Sequence, residues 1–287
     1  MGGTKRCQEK PFAITWQFYP NPPRPEKPFS LTPEPRKEII AVLFWQTGLN
    51  HGRLSHSLSP LASPLESEWD DPVWSTAETV TLEWYHPDAS PHRPRTSVRL
   101  LHSPEGLHLF FRVDDRYVVA RHTRLNDPVC KDSCVEFFVE PPGNRGYFNF
   151  EFNCGGVLHL SHITDPTREN GRFRGIQLAT PELAQMVQIR SPWKAPVVPP
   201  IEQPVVWTLQ AAIPYRLFET VIGPVRPVGQ TPWRGNFYKC GSDWPHYLAW
   251  SPIRGDLDFH QPRFFGRLEF SPNGETPPPP KPAPPKA

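Results

Sequence analysis

Beyond Ser97 the chain is dominated by short runs in which apolar and polar residues alternate, with turn residues between the runs. Alternation with a period of two is typical of strands that bury one face. No stretch shows helical periodicity for longer than about two turns. The pattern predicts an all-β chain, with strands at residues 97–102, 107–113, 117–122, 133–140, 147–154, 157–163, 185–191, 205–213, 235–240, 247–250 and 265–270. Residues 214–218 predict one helical turn, because a proline at the first helical position loses no hydrogen bond.

The predicted strands 133–140 and 147–154 are the most informative pair, because the short turn 141–146 between them indicates a hairpin. Each strand carries apolar residues at alternate positions, and a slip of one residue would turn one apolar set away from the core. The register that buries both sets pairs Val135 with Phe152, Phe137 with Phe150, and Val139 with Phe148.

The same register brings polar residues together on the other face of the hairpin, with Glu136 opposite Glu151 and with Asn149, Asn153 and Tyr147 nearby. Two opposed carboxylates lie about 5 Å apart and repel each other unless something bridges them. A cation, an arginine or a polyhydroxyl ligand could relieve that repulsion. A solvated polar face with a neighbouring arginine or lysine is the alternative that the pattern leaves open.

The chain has five cysteines, so at least one of them is unpaired within the chain. The hairpin register places Cys134 near Asn153 and not opposite Cys154, which disfavours a disulfide between these two cysteines. Cys130 and Cys134 lie four residues apart and could form a metal or redox pair. Cysteines at such a spacing are more commonly buried thiols, or thiols without a metal or redox role.

Prolines number 40 and are concentrated at residues 20–35 and 272–285. Proline lacks an amide donor and favours extended polyproline conformations, so neither stretch is expected to join a sheet. The composition therefore predicts three regions: an irregular Pro-rich extension at residues 1–64, one folded domain at 65–271, and a Pro-rich tail at 272–287.

The net charge of +2, from 31 basic and 29 acidic residues, lacks the basic field that nucleic-acid-binding proteins use. No apolar run reaches the roughly 20 residues that a membrane-spanning helix needs. Nucleic acid and a membrane span are therefore not expected. Lys5 and Arg6 precede polar and Pro-rich residues, so the chain as written shows no signal peptide. This predicts a cytoplasmic location, or a secreted one if the true start lies elsewhere.

Several stretches together resemble the carbohydrate-binding modules of family 9. DSCVEFFV at 132–139 and YFNFEFN at 147–153 look like the central hairpin of the family, and EWDDPVW at 68–74 is similar to its opening. AWSP at 249–252, FHQP at 259–262 and FGRL at 265–268 resemble its last strands. The resemblance covers residues 65–271 and implies a β-sandwich or jelly roll of immunoglobulin-like general architecture.

The resemblance also implies non-catalytic binding of a polysaccharide or oligosaccharide of the xylan or cellulose type, in support of carbohydrate catabolism. A separate glycoside hydrolase is then an expected partner. In the family a sugar is held between two aromatic side chains. Glu136 falls on the sugar-binding Glu of the family, and Asn153 falls on its sugar-binding Asn.

Other site positions differ from the family pattern. Tyr238 stands in place of a binding Gln, Glu151 in place of a binding Arg, Cys130 in place of the first stacking aromatic residue, and Phe259 in place of the second. A thiol offers no π face, so we expect the ligand or the affinity to differ from those of the family. Trp244 is a further candidate for an apolar platform beside Phe259.

Three alternatives stay open at this point. A sandwich that lost sugar binding could act as a protein-interaction module, as Cys130 would permit. A glycoside hydrolase needs two carboxylates about 5–5.5 Å or about 6.5–9.5 Å apart, and Glu136 with Glu151 could form such a pair. A haem- or metal-binding sandwich needs axial ligands such as methionine and histidine, and Met186 is the only internal methionine.

No cofactor is required for sugar binding, although calcium is an option. Asp114, Asp115, Asp127 and Asp132 lie in or beside predicted loops that could supply oxygen ligands. Family members often carry such ions. Aspartates at these positions more commonly form turns and caps.

Overall fold

The computed structural model describes residues 64–75, 77–225 and 232–270, together with the backbone of residues 40–45. The strands in these ranges are β1 Ile40–Trp45, β2 Val80–Thr81, β3 Trp84–Tyr85, β4 Arg95–His102, β5 Gly106–Asp115, β6 Val118–Ala120, β7 Cys134–Glu140, β8 Tyr147–Asn153, β9 Leu158–Glu169, β10 Arg172–Leu178, β11 Gln188–Arg190, β12 Val197–Ile201, β13 Val205–Pro214, β14 Trp233–Gly241, β15 His246–Ala249 and β16 Gly266–Phe270. Two short helices accompany them, α1 Pro181–Ala184 and α2 Tyr215–Ile222.

Most strands form two antiparallel sheets that pack as a sandwich, and β6 and β12 form a separate antiparallel pair. The first sheet has the order β4-β5-β13-β11, with β2 beside β4. The second sheet has the order β10-β9-β8-β7-β14-β16, with β15 and β3 extending from β14. Strand β1 belongs to both sheets, because its first residues pair with β4 and its later residues pair with β16. The predicted all-β sandwich is confirmed.

The core lies between the sheets and is rich in aromatic residues. Phe111 of β5 meets Phe237 of β14 edge to face, with 6.0 Å between ring centroids. Phe137 of β7 stacks on Phe237 at 5.0 Å. All three rings are fully buried, and burial of each side chain contributes about 1.5–3 kcal/mol.

The predicted hairpin register is confirmed. β7 pairs with β8 so that Val135 lies opposite Phe152, Phe137 opposite Phe150, and Val139 opposite Phe148. Cys134 lies opposite Asn153, and both Cys134 and Cys154 carry free thiols. The turn 141–146 and the alternating pattern were sufficient to determine this pairing.

Some predicted elements differ from the structure. The strand predicted at 185–191 is only Gln188–Arg190, because the chain first forms α1, whose N-cap Thr180 accepts a hydrogen bond from Leu183 N. Helix α2 begins at Tyr215, with Pro214 as its N-cap residue. Strand β9 continues to Glu169 and pairs with β10, a mostly exposed strand whose sequence offers no buried face. Strand β1 lies inside the segment predicted to be irregular.

Residues 64–75 cover the outer face of the first sheet. Trp74 donates from Nε1 to Ser67 Oγ at 2.7 Å and packs edge to face against Phe110. Gln210 of β13 donates to the carbonyl oxygen of Ser67 at 2.7 Å. These contacts join the segment to the sandwich. Among the described residues, no helix is long and apolar enough to cross a bilayer.

Candidate functional site

The candidate site lies on the outer face of the second sheet, the side that faces away from the sandwich core. Alternate residues of β7, β8, β9 and β14 share this face because side chains alternate along a strand. Glu136 pairs with Glu151 of β8 on one side and with Tyr238 of β14 on the other. The sequence prediction that these two glutamates are opposed is therefore confirmed.

Both carboxylates of the pair are buried, with Glu136 only 2% exposed and Glu151 6% exposed. The alternative of a solvated polar face is therefore wrong, because loops cover a face that the strand pattern alone left open. Burial, reinforced by the charge of Glu151, raises the pKa of Glu136 well above its usual value. Asn149 donates from Nδ2 to Glu151 Oε1 at 2.8 Å.

Unused hydrogen-bonding capacity lies directly beside Glu151. Asn149 of β8 is opposite Ser161 of β9, and Glu151 is opposite His159. Asn149 and Ser161 are buried, yet Asn149 Oδ1 and Ser161 Oγ have no hydrogen-bond partner in the described part of the chain. Buried polar atoms normally have partners, so unpartnered atoms in a cluster point to a ligand.

An aromatic stack closes the neighbouring part of the face. The ring of Phe259 lies on the ring of Tyr238, with 4.1 Å between centroids and 7° between planes. The hydroxyl of Tyr238 donates to the carbonyl oxygen of Phe259 at 3.1 Å. Tyr238 is fully buried while Phe259 is half-buried. Phe259 therefore presents its outer surface, and Tyr238 supports it from below.

Asn153 has a complete set of internal hydrogen bonds. Its Nδ2 donates to the carbonyl oxygen of His122 and to Asp132 Oδ2, both at 2.9 Å. Its Oδ1 accepts from the amides of Gly155 at 3.1 Å and Val157 at 2.9 Å. An amide side chain offers two donors and two acceptor sites, so Asn153 holds the turn after β8 and has no spare group for a ligand.

Two cysteines, Cys134 and Cys240, lie beside Glu136, and Cys130 lies next to Cys240. Cys240 of β14 lies opposite Cys134 of β7, and its Sγ lies 3.0 Å from Glu136 Oε1. Cys134 Sγ lies 4.0 Å from the same oxygen. The carbonyl oxygen of Cys130, an exposed residue, lies 3.3 Å from Cys240 Sγ. Burial raises the pKa of the Cys134 thiol.

Half-buried apolar groups border this cluster. Val157, Tyr247 and Phe259 pack around the buried Cys134 and Cys240. Tyr247 and Phe259 approach edge to face at 6.5 Å. Tyr247 was not among the predicted site residues, although it lies opposite Cys240 in the β14–β15 pair. Two aromatic rings thus border the site even though Cys130 supplies none.

Trp244 has a different neighbourhood. It lies in the turn between β14 and β15, and its ring stacks on Tyr117 with 4.3 Å between centroids. Next to it, Asp243 forms an ion pair with Arg121 at 2.6 Å. These contacts give Trp244 a packing role in this turn.

The four aspartates considered for calcium accept hydrogen bonds or form ion pairs. Asp132 accepts from the amides of Arg121 and His122 and from Asn153, and Asp127 accepts from the amides of Thr123 and Arg124. Asp115 contacts His92, Trp207 and Lys239, and Asp114 contacts Arg112. Calcium binding at these residues stays a prediction.

The carboxylate of Asp115 lies beside Lys239 and His92. Burial would raise the pKa of the Asp115 carboxyl, but Lys239 and His92 hold that pKa well below its usual value. Lys239 and Asp115 have fully buried side chains and lie 3.6 Å apart. This ion pair lies on the core side of the second sheet, so it supports the fold and does not face the site.

Sequence reasoning missed Cys240, Ser161 and Tyr247 as site residues. Cys240 and Tyr247 reach the site through the β7–β14 and β14–β15 pairings. Strands β7 and β14 are far apart in the sequence, so no turn length fixes their register. Ser161 could have been predicted by pairing β9 with β8, because it lies opposite Asn149 on the outer face.

The comparisons with known proteins agree with this architecture. Residues 74–270 match the sequence profile of Carbohydrate-binding family 9. The chain is similar to a candidate carbohydrate-binding protein from Bacteroides uniformis ATCC 8492, with 31% identity and a TM-score of 0.60, over 68% of this chain and 86% of that chain. No curated protein sequence matches the chain.

The chain also has a lower similarity to a family 9 carbohydrate-binding module from Caldicellulosiruptor kristjanssonii. Its complex with glucose shares 12% identity at a TM-score of 0.48, over 79% of this chain and 98% of that chain. Its complex with cellotriose shares 13% identity at a TM-score of 0.45, over 76% of this chain and 96% of that chain. Because the family profile spans most of the folded domain, this chain belongs to carbohydrate-binding family 9.

Proposed function

We propose that this chain binds a carbohydrate without transforming it, and that the hydroxyl groups of the sugar bind Glu151, Asn149 and Ser161. Family membership supports carbohydrate binding in general. The observation that carries the location is the pair of unpartnered buried atoms, Asn149 Oδ1 and Ser161 Oγ, beside the carboxylate of Glu151.

The chemistry of the three groups suits a polyhydroxyl ligand. A carboxylate and an amide oxygen accept hydrogen bonds, and a serine hydroxyl both donates and accepts. Opposed residues on adjacent strands place their side chains about 5 Å apart, a distance that one sugar ring can span. A sugar bound here would complete the hydrogen bonding of Asn149 and Ser161.

Phe259 and Tyr247 supply the apolar part of the proposed site. Both rings are half-buried and pack against the same cluster of buried residues. Sugar rings have apolar CH faces, and aromatic side chains are common in the sites that hold them. Tyr247 would then provide the aromatic surface that Cys130 cannot.

The ligand class that we propose is an oligosaccharide of the cellulose or xylan type, in support of carbohydrate catabolism by a separate glycoside hydrolase. This class rests on the family resemblance. Hydrolysis by the chain itself is the weaker proposal. Glu136 would be the general acid, and its Oε1 already lies 3.0 Å from the Cys240 thiol, a contact that competes with proton donation to a glycosidic oxygen.

Isothermal titration calorimetry of the full chain against cello- and xylo-oligosaccharides tests this proposal. We expect saturable heat with one of the two series and unchanged sugar after overnight incubation. A folded protein that gives no heat with any oligosaccharide at millimolar concentration would contradict the proposal. That result would favour the protein-interaction module instead.

A further inference from the structure

Two thiols and one carboxylate converge behind the proposed sugar site. Among the described residues, Cys134, Glu136 and Cys240 form the one group of three or more potential metal ligands, and their ligand atoms all lie within 4.8 Å of one another. All three residues are buried. They come from the adjacent central strands β7 and β14, so their backbone positions are fixed by the sheet.

The distances suit a small tetrahedral metal ion. Zn–S distances of about 2.3 Å and Zn–O distances of about 2.0–2.2 Å place neighbouring ligand atoms about 3.5–3.8 Å apart. Glu136 Oε1 lies 3.0 Å from Cys240 Sγ and 4.0 Å from Cys134 Sγ. Shifts of less than about 1 Å would bring these atoms to the spacing of a zinc site.

The electrostatic surroundings also favour a cation. Glu136 is buried opposite a second buried carboxylate, Glu151. Buried like charges are costly unless a positive charge compensates them. A divalent ion on Cys134, Glu136 and Cys240 would place that charge between the carboxylate pair and the thiols. Thiolate ligands select soft or borderline ions such as zinc over calcium or magnesium.

We propose that Cys134, Glu136 and Cys240 bind a metal ion such as zinc. The carbonyl oxygen of Cys130 lies 3.3 Å from Cys240 Sγ, which places this residue next to the cluster. Cys130 is also exposed, so the ion could enter from its side.

Cobalt(II) titration of the full chain, reduced and freed of metal, tests this proposal. All proteins in the test carry Cys7→Ser, so that Cys7 cannot contribute a thiolate. We expect one cobalt ion per chain, with a strong thiolate-to-cobalt charge-transfer band that zinc abolishes by displacement. Cys240→Ser and Cys134→Ser should remove most of the band. Cys154→Ser is the matched control, because this buried thiol lies against Val119 O outside the cluster, and it should keep the band.

Glu136→Gln keeps the shape of the side chain and should weaken cobalt binding at least tenfold. A folded parent protein without a thiolate band would overturn the proposal, as would a full band in Cys240→Ser. A Cys134–Cys240 disulfide that persists under reducing conditions would also overturn it. No sugar is present in this test, so its result is independent of the proposed carbohydrate binding.

Discussion

The rings of Phe259 and Tyr238 lie parallel at 4.1 Å, and the Tyr238 hydroxyl donates to the backbone carbonyl of the same Phe259. One buried residue on β14 thus holds the loop residue above it in two ways. The hydrogen bond fixes the loop backbone, and the stack fixes the ring. This pair determines how Phe259 is presented at the candidate site.

Tyr238→Phe should keep the stack and lose the hydrogen bond. We expect the free energy of unfolding to fall by about 1 kcal/mol, because the carbonyl of Phe259 loses its partner. Urea denaturation measures this change. Tyr117→Phe is the control, since it removes a hydroxyl from a half-buried tyrosine that stacks on Trp244. An equal or larger loss in the control would mean that the Tyr238 hydroxyl is not important for the loop.

Asn153→Ala should destabilise the fold strongly. The substitution removes four hydrogen bonds, two donated to His122 and Asp132 and two accepted from the turn after β8, so we expect a loss of about 3 kcal/mol or more. Chemical denaturation measures the loss. A variant with unchanged stability but no affinity for sugar would show that Asn153 binds the ligand, as the family resemblance implied.

Ser161→Ala should behave in the opposite way. The hydroxyl is buried without a partner, so its removal should leave the free energy of unfolding unchanged or raise it by up to about 1 kcal/mol. If the hydroxyl binds sugar, the same substitution should weaken binding several-fold. Thermal denaturation and calorimetry on one preparation measure both effects. A loss of stability would show that Ser161 has a structural partner.

Stability should decrease on acidification through His260. Burial, together with the positive charge of Arg168, lowers the pKa of His260 to about 3, although Asp258 opposes this shift. The unfolded chain binds a proton at His260 near pH 6.5, whereas the folded chain does not until about pH 3. The contribution of His260 is therefore fully present above about pH 6.5 and is lost as the pH falls towards 3.

His260→Gln isolates this contribution from those of the carboxylates. Between pH 7 and pH 4, the parent protein should lose about 2–3 kcal/mol more than the variant, after allowance for the partial exposure of the ring. Urea denaturation at a series of pH values measures the difference. Parallel pH profiles for the two proteins would contradict a neutral buried His260.

The sequence was sufficient to predict the register of β7 with β8 but not the pairing of β7 with β14. The alternation of Val135, Phe137 and Phe150 with polar residues, together with a short turn, left one register that buries both apolar sets. The position of Glu136 opposite Glu151 followed directly. Nothing comparable fixes the pairing of β7 with β14, because many residues separate the two strands.

Burial of the site could not be predicted from strand patterns. Alternation identifies the core side of a strand, but whether the other side is solvated depends on loops that pack over it. The loop carrying Phe259 is such a cover, and it turns an expected surface into an interior. Strand β10 could not be predicted for a different reason. It is mostly exposed, so its sequence has no alternation of apolar and polar residues that would indicate a strand.

Calorimetry of site variants with the best-binding oligosaccharide tests the central claim, that the sugar binds on the outer face of the second sheet. Phe259→Ala and Glu151→Gln should each weaken binding about tenfold, which corresponds to about 1.4 kcal/mol. Trp69→Ala removes a half-buried aromatic ring that packs on Phe110 of the first sheet, so it should bind like the parent protein. Parent-like affinity in both site variants, with circular dichroism showing intact folds, would contradict the claim and place the sugar elsewhere.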